Sequence, residues 1–282
     1  MLITLPDGRR LGYEEYGDPQ GRPLLLFHGQ PGNRLFRHPS EALTAMLGVR
    51  LITIDRPGYG LSDFQPGRKL LDWPGDVAAL ADALEIDRFA LLGFSAGAPY
   101  ALACACLIPE CLTRVGLVNP APPMHLPEIH RRASGSLRTN YLLAHYAPPL
   151  LKASFRLFWW FSRQDPEAFI KMALEQSPPA DRRVLLRPEV NALLEEVWRE
   201  NLRFAPRGYV QDVQILMGDW GFALAEVQKE VHLWQGETDE NTPLEWARYI
   251  AKQLPHCKTT YYPEEGHFAL FSHWEEILIE LA

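Results

Sequence analysis

The sequence predicts an α/β fold: a mostly parallel, eight-stranded sheet with helices on both faces and an inserted helical module. Three observations carry this. Short apolar runs alternate with longer helical patterns, as in repeated strand–helix–strand units. The runs are unbroken by polar residues, so their strands are buried on both faces. A Gly-x-Ser-x-Gly motif, Gly93-Phe94-Ser95-Ala96-Gly97, stands between one such run and a helical segment.

Each element follows in order. Residues 2–5 and 10–16, joined through Pro6-Asp7-Gly8, read as an antiparallel hairpin at the N-terminal edge. Residues 23–27 make a third strand that ends in His28-Gly29-Gln30-Pro31-Gly32. Ser40 caps a short helix running to residue 47, with Glu41 in its first turn. Residues 50–54 are a fourth strand, followed by Asp55-Arg56-Pro57-Gly58-Tyr59-Gly60-Leu61-Ser62. Residues 71–85 are helical, with Asp72 as cap and Pro74 in the first turn. Residues 89–92 are a strand, 98–108 a buried helix and 114–119 a sixth strand. From 124 to 212 no strand-like run occurs; helical and aromatic segments are broken at Pro148-Pro149, Pro178-Pro179 and Pro206. This is the inserted module, and it divides the core into residues 1–123 and 213–282. Residues 220–228 read as a helix, 231–235 as a strand and 243–254 as a helix. A strand at 258–262 and a helix at 267–281 close the chain.

Composition excludes several functions. The 282 residues are 47% hydrophobic and carry a net charge of −7, which argues against nucleic acid and anionic membrane as partners. No secretory leader is expected at the start, and no apolar run reaches the length of a membrane span. Cys104, Cys106, Cys111 and Cys257 match no common zinc spacing and read as thiols, most of them buried after the Ser95 turn. A cytoplasmic location is the expectation that follows. No His-Glu-x-x-His, Gly-x-Gly-x-x-Gly or phosphate-binding loop is present, so no cofactor and no metal are expected, and a small-molecule substrate is the expected partner.

The chemistry begins at Ser95. A strand, a tight turn flanked by glycines and a helix hold a serine hydroxyl above the sheet, near the positive end of the helix. Such a serine needs a base, and the base needs an orienting carboxylate. Residues 231–239 read as a strand and turn ending in Asp239, and residues 261–267 as a strand and loop ending in His267. Both lie at strand C-terminal ends, on the same sheet edge as Ser95.

With these motifs the chain resembles the α/β-hydrolase superfamily over about residues 23–268. The resemblance implies Ser95 as nucleophile, His267 as base and Asp239 as orienting acid. It implies an oxyanion hole made by the backbone N–H groups of Gln30 and Ala96, and it makes the insert a cap. Asn119 stands where some relatives place the acid. The loop with Asp55 and Ser62 braces the site, and His28 is structural. Glu237 and Glu240 read as ordinary loop charges. Asp63, Glu264 and Glu265 read as solvated, and His273 as a surface residue inside the last helix. The elbow serine separates the chain from epoxide hydrolases and haloalkane dehalogenases, which use an aspartate there. The His28–Gly32 loop resembles that of proline iminopeptidases, but Gln30, Arg56-Pro57 and Ala96 depart from their pattern.

The expected function is cleavage of an ester, thioester or amide of a small apolar substrate through an acyl-enzyme on Ser95. Iminopeptidase-like aminopeptidase activity, C–C bond hydrolysis and ligand sensing with little turnover are the alternatives. The aromatic run Phe155-Arg156-Leu157-Phe158-Trp159-Trp160-Phe161 reads as the source of some rings in the pocket, with a structural cap core and a surface, membrane-interface or dimer contact as the alternatives. In the aminopeptidase alternative, Asp165, Glu167, Glu175, Glu189, Glu195 and Glu196 supply an amine site.

Overall fold

The computed structural model describes residues 1–131, 133, 135–204 and 206–281. Its sheet contains β1 (Leu2–Thr4), β2 (Arg10–Gly17), β3 (Arg22–Phe27), β4 (Val49–Ile54), β5 (Phe89–Phe94), β6 (Leu112–Val118), β7 (Val231–Gly236) and β8 (Cys257–Tyr262). The strand order is β1-β2-β4-β3-β5-β6-β7-β8, with β1 and β2 antiparallel to their neighbours and every other pair parallel. Parallel neighbours need crossovers. These are α1 (Glu41–Met46), α2 (Trp73–Ala83), α3 (Ala98–Leu107) and α11 (Leu244–Gln253). Between β6 and β7 the chain leaves the sheet for α4 (Pro127–His130), α5 (Gly135–Tyr146), α6 (Pro148–Gln164), α7 (Pro166–Glu175), α8 (Pro179–Leu185), α9 (Pro188–Arg203) and α10 (Arg207–Met217). It ends in α12 (Ala269–Ser272) and α13 (Trp274–Leu281).

The sheet sits between two apolar layers. Leu25, Phe27, Leu91 and Leu233 face one side with α2 and α3. Leu24, Leu26, Leu92 and Trp234 face the other with α13 and the inner side of α9. Successive side chains of one strand serve opposite layers, which is why the runs are apolar throughout. Of the thiols, Cys104 is buried, while Cys106, Cys111 and Cys257 are half-buried.

Three expectations need correction. Residues 220–228 are not a helix; only one short turn, Leu224–Glu226, forms there. Gly221 has φ +82°, and the Glu226 carboxylate accepts the Ala223 N–H, which closes the turn on itself. The expected end of the insert at 212 falls inside α10, whose apolar face continues through Val213 and Leu216 to Gly218. The last helix starts at Ala269 and breaks at His273. There the imidazole stacks on Tyr262 with centroids 3.6 Å apart and faces Glu265 and Glu276. His273 is therefore a half-buried packing residue at a break, not a surface residue within a helix.

Candidate active site

Ser95 follows β5 directly, at φ +52°. A non-glycine residue held in this region costs roughly 1–3 kcal/mol, so the surroundings must impose it. They do. A Cβ on Gly93 would lie 2.6 Å from the Ala98 Cα, and one on Gly97 would overlap the Phe27 carbonyl. Strand, turn and helix meet too closely for any other residue at either position.

The structure brings Asp239 and His267 to Ser95. His267 Nε2 lies 3.0 Å from Ser95 Oγ, and His267 Nδ1 lies 2.8 Å from Asp239 Oδ2. The Asp239 carboxylate is saturated. Its Oδ1 accepts the backbone N–H groups of Asn241 and Thr242, at 2.8 and 2.9 Å. Its Oδ2 also accepts Asn119 Nδ2 and Thr242 Oγ1, both at 2.6 Å. Asn119, Gln235 and Thr242 were not singled out as site residues by the sequence. Gln235 Nε2 bridges the carbonyls of Gly236 and Thr242 at 2.9 Å, bracing the Asp239 turn from below. A hydroxyl three residues after a turn carboxylate was the available signal for Thr242.

Charge and burial act against each other here. Burial pushes the His267 pKa down, but the Asp239 charge and hydrogen bond outweigh it and hold it above the ordinary 6.5. Burial raises the Asp239 carboxyl, while His267 and the Thr242 donors bring it below its usual value. A second carboxylate, Asp181 on α8, accepts the Phe268 N–H at 3.1 Å and adds to the field on His267. Burial raises its own pKa. Asp181 packs close on Gly266, where a Cβ would displace its carboxylate.

The loop after β3 passes directly over Ser95. A Cβ on Gly29 would lie 3.3 Å from the Ser95 Cβ and 3.0 Å from the Phe94 ring. Buried Arg56 donates to the carbonyls of His28 and Gly29, the second at 3.1 Å. Its Nε is paired at 2.7 Å with Asp212 of α10. The Gly29 carbonyl and the Gln30 N–H belong to one planar trans peptide and point oppositely. Drawing the carbonyl to Arg56 therefore turns the Gln30 N–H away from it. Among the described residues nothing accepts that N–H. The Gln30 side chain is occupied elsewhere: its Nε2 donates to the Tyr209 carbonyl at 2.9 Å.

Asp55 and Ser62 lie away from Ser95. Asp55 accepts the N–H groups of Arg34 and Leu61, and Ser62 Oγ donates to the Asp55 carbonyl at 2.7 Å. His28 bonds its neighbour's carbonyl at 2.8 Å, and burial beside Arg56 pushes its pKa well below 6.5. Asp63 pairs with Arg10 at the surface, and Glu264 is exposed. Glu265 is half-buried against His273.

A cavity of about 190 Å³ opens on Ser95 and His267. Phe36, Phe94 and Phe268 line the core side, and Ile170, Leu174 and Trp198 the insert side. The expected rings of α6 are not among them. Consecutive residues of a helix turn by about 100° each, so a seven-residue run cannot face one pocket. Trp159 points inward against Tyr209 and Trp198, while Leu157, Trp160 and Phe161 are exposed. None of the insert's six singled-out carboxylates lines the cavity. Glu167 and Glu195 pair with Arg199, Glu196 with Arg37, and Asp165 caps α7. No three described His, Cys, Asp or Glu residues cluster as metal ligands, and no described helix is long and apolar enough to cross a membrane.

Comparison with known proteins agrees with this architecture. The esterase of Exiguobacterium antarcticum superposes with a TM-score of 0.74 at 20% identity, over 100% of this chain and 97% of that one. A proline iminopeptidase of Levilactobacillus brevis is 29% identical over 262 residues, covering 88% of this chain and 82% of its own length. A proline iminopeptidase of Xylella fastidiosa is 32% identical over 127 residues, which span 41% of this chain and only 38% of that protein. A family model described as the alpha/beta hydrolase family matches residues 24–280, and the chain belongs to that family.

Proposed function

We propose that the protein is a serine hydrolase that cleaves esters of small apolar acids through an acyl-enzyme on Ser95. The observation that carries the reading is the unbroken hydrogen-bonded line from Ser95 through His267 to Asp239, at the floor of an apolar cavity. His267 Nε2 takes the Ser95 proton as Oγ attacks the carbonyl carbon. The tetrahedral oxyanion is held by the N–H groups of Gln30 and Ala96. His267 then gives its proton to the departing alkoxide. A water molecule, deprotonated by the same imidazole, releases the acid. The helices between β6 and β7 act as the cap, contributing Ile170, Leu174 and Trp198 to the wall.

The size of the cavity supports a short acyl group. At about 30 Å³ per water-sized group, 190 Å³ admits roughly six such groups. Its character supports esters over free-amino substrates, because a bound ammonium group needs a paired carboxylate. The aminopeptidase reading is favoured by the named relatives and opposed by a lining without carboxylates. The test compares kcat/KM for p-nitrophenyl acetate and butyrate with that for a prolyl arylamide, using Ser95→Ala as control. Faster ester turnover, lost by orders of magnitude in Ser95→Ala, is expected. Faster prolyl-amide turnover refutes the ester reading. An acyl burst that never clears points to a sensor, and a Ser95→Ala variant keeping a tenth of the activity removes Ser95 as nucleophile.

A further inference from the structure

A second cavity, larger than the one over Ser95, lies apart from it. It measures about 710 Å³ and lies between the loop before α2, the start of α6 and the outer side of α10. No residue lines both it and the Ser95 cavity. Its walls are apolar at Phe64, Leu71, Ile215 and Trp220. Its charged lining is almost wholly cationic: Arg68, Lys69, Lys152, Arg156 and Arg207, against the single carboxylate Asp219. Asp219 is 82% exposed and lies 4.0 Å from His125.

Arg68 makes this more than a basic surface. It is buried, and it lines the cavity. Arg68 and Arg56 share one carboxylate, Asp212, which also accepts the Tyr100 hydroxyl at 2.7 Å. The surrounding phenols of Tyr59, Tyr100 and Tyr209 are pushed up by burial and stay neutral. Two buried cations and one buried anion leave a net positive charge in a low-dielectric place, where an unpaired charge is costly. Arg68 Nε has no hydrogen-bond partner among the described residues. Lys69, Lys152 and Arg156 have no carboxylate partner among them either. Arg207 lies over the Phe64 ring, 4.8 Å from its centroid.

We propose that this cleft is a binding site for a small anionic amphiphile, a carboxylate carried on an apolar body. The anion offsets the excess charge at Arg68 and meets Lys152 and Arg156 on α6. The body lies on Phe64, Leu71 and Trp220. A volume of 710 Å³ has room for about ten heavy atoms and their hydration. The site is independent of turnover at Ser95.

Octanoate is the probe and octanol its uncharged counterpart, each titrated calorimetrically into wild type, Ser95→Ala and Lys152→Glu/Arg156→Glu. Lys152 and Arg156 are exposed, so the double variant keeps its fold, and thermal unfolding checks this. Wild type and Ser95→Ala bind octanoate alike. The double variant binds it at least about tenfold more weakly, and octanol binds wild type more weakly by a similar factor. Turnover of p-nitrophenyl acetate by the double variant is unchanged. Equal octanoate affinity in wild type and the double variant overturns the proposal. So does octanol binding as tightly as octanoate, or no octanoate binding at millimolar concentration. Octanoate that binds only by competing with p-nitrophenyl acetate overturns it as well, because that places the ligand over Ser95. Failure of the hydrolase reading would instead appear as absent turnover with octanoate binding intact.

Discussion

Replacing Asp239 by Asn tests the proposed catalytic line most directly, because the structure dictates how the amide must sit. Asp239 Oδ1 faces two fixed backbone N–H groups. Oδ2 faces four side-chain donors, Asn119 Nδ2, Thr242 Oγ1, His267 Nδ1 and, at 3.4 Å, Gln235 Nε2, which can turn. The amide oxygen therefore takes the backbone side and the NH2 group takes the side of His267. Nδ1 must then accept, so the ring proton moves to Nε2, the nitrogen that has to receive the Ser95 proton. A base in the wrong tautomer costs about 10⁴-fold in kcat. The pH profile changes as well. With the carboxylate gone, burial is opposed only by the charge of Asp181, and the His267 pKa falls from its raised value. The ascending limb of kcat/KM against pH for p-nitrophenyl acetate should move to lower pH. Stability follows with a definite sign. A raised His267 pKa stabilises fully below 6.5 and ceases to as pH rises through the folded value. A lowered Asp239 pKa stabilises above 3.8 and ceases to as pH falls through its own folded value. Wild type should exceed Asp239→Asn in thermal stability most between these limits. A loss of activity under tenfold, or an unmoved limb, would refute the reasoning.

Three further outcomes are expected. Gln30→Ala should cost little in kcat, because its side chain bonds the Tyr209 carbonyl and the proposed oxyanion donor is its main chain; a loss of about 10²–10³ in a folded variant would mean that the amide side chain donates. Arg56→Met should lower kcat by up to that same range with a far smaller change in KM, since it removes the guanidinium from the His28 and Gly29 carbonyls, leaves only His28 on the latter and loosens the Gln30 peptide; kinetics at matched thermal stability decide, and an equal change in both constants would count against the peptide-plane argument. Leu174→Trp should fill the insert side of the Ser95 cavity and lower the butyrate-to-acetate ratio of kcat/KM; an unchanged ratio would place the acyl group elsewhere.

Much of this architecture could be read in the sequence because it depends on short-range patterns. The strands are unbroken apolar runs, and the turn at Ser95 is fixed by glycines within two residues on either side. Asp239 and His267 each lie in the turn or loop after a strand, so the parallel sheet delivers them to the edge that Ser95 occupies. The failures came where local composition is ambiguous. Residues 220–228 contain enough apolar side chains for a helix, yet Trp220 and Val227 are buried by a loop that packs them without one. The run at 155–161 is rich in aromatic residues, but composition carries no direction. Helical rotation sends Trp159 inward and Trp160 outward, whatever the pocket would prefer.

What the sequence withheld joins residues far apart in the chain. Asp239 is held by Asn119, 120 positions away, and Arg56 by Asp212, 156 positions away. Neither partner carries a motif. Asp212 lies on α10, whose pattern is fully explained by the helix, and Asn119 follows β6 at a position where some relatives carry an acid, so neither is marked as a partner of Arg56 or Asp239. The two pairs nevertheless govern the chemistry differently. Asn119 holds the Asp239 carboxylate that faces His267. Asp212 acts on Arg56, and through it on the direction of a single peptide plane above Ser95. The Ser95 motif places the proposed nucleophile, while the carboxylate behind His267 and the Gln30 peptide are held by these long-range contacts. One of them crosses from the core to the helices inserted between β6 and β7. The insert is thus bound to the catalytic edge through buried charge as well as through the apolar wall it lays over Ser95.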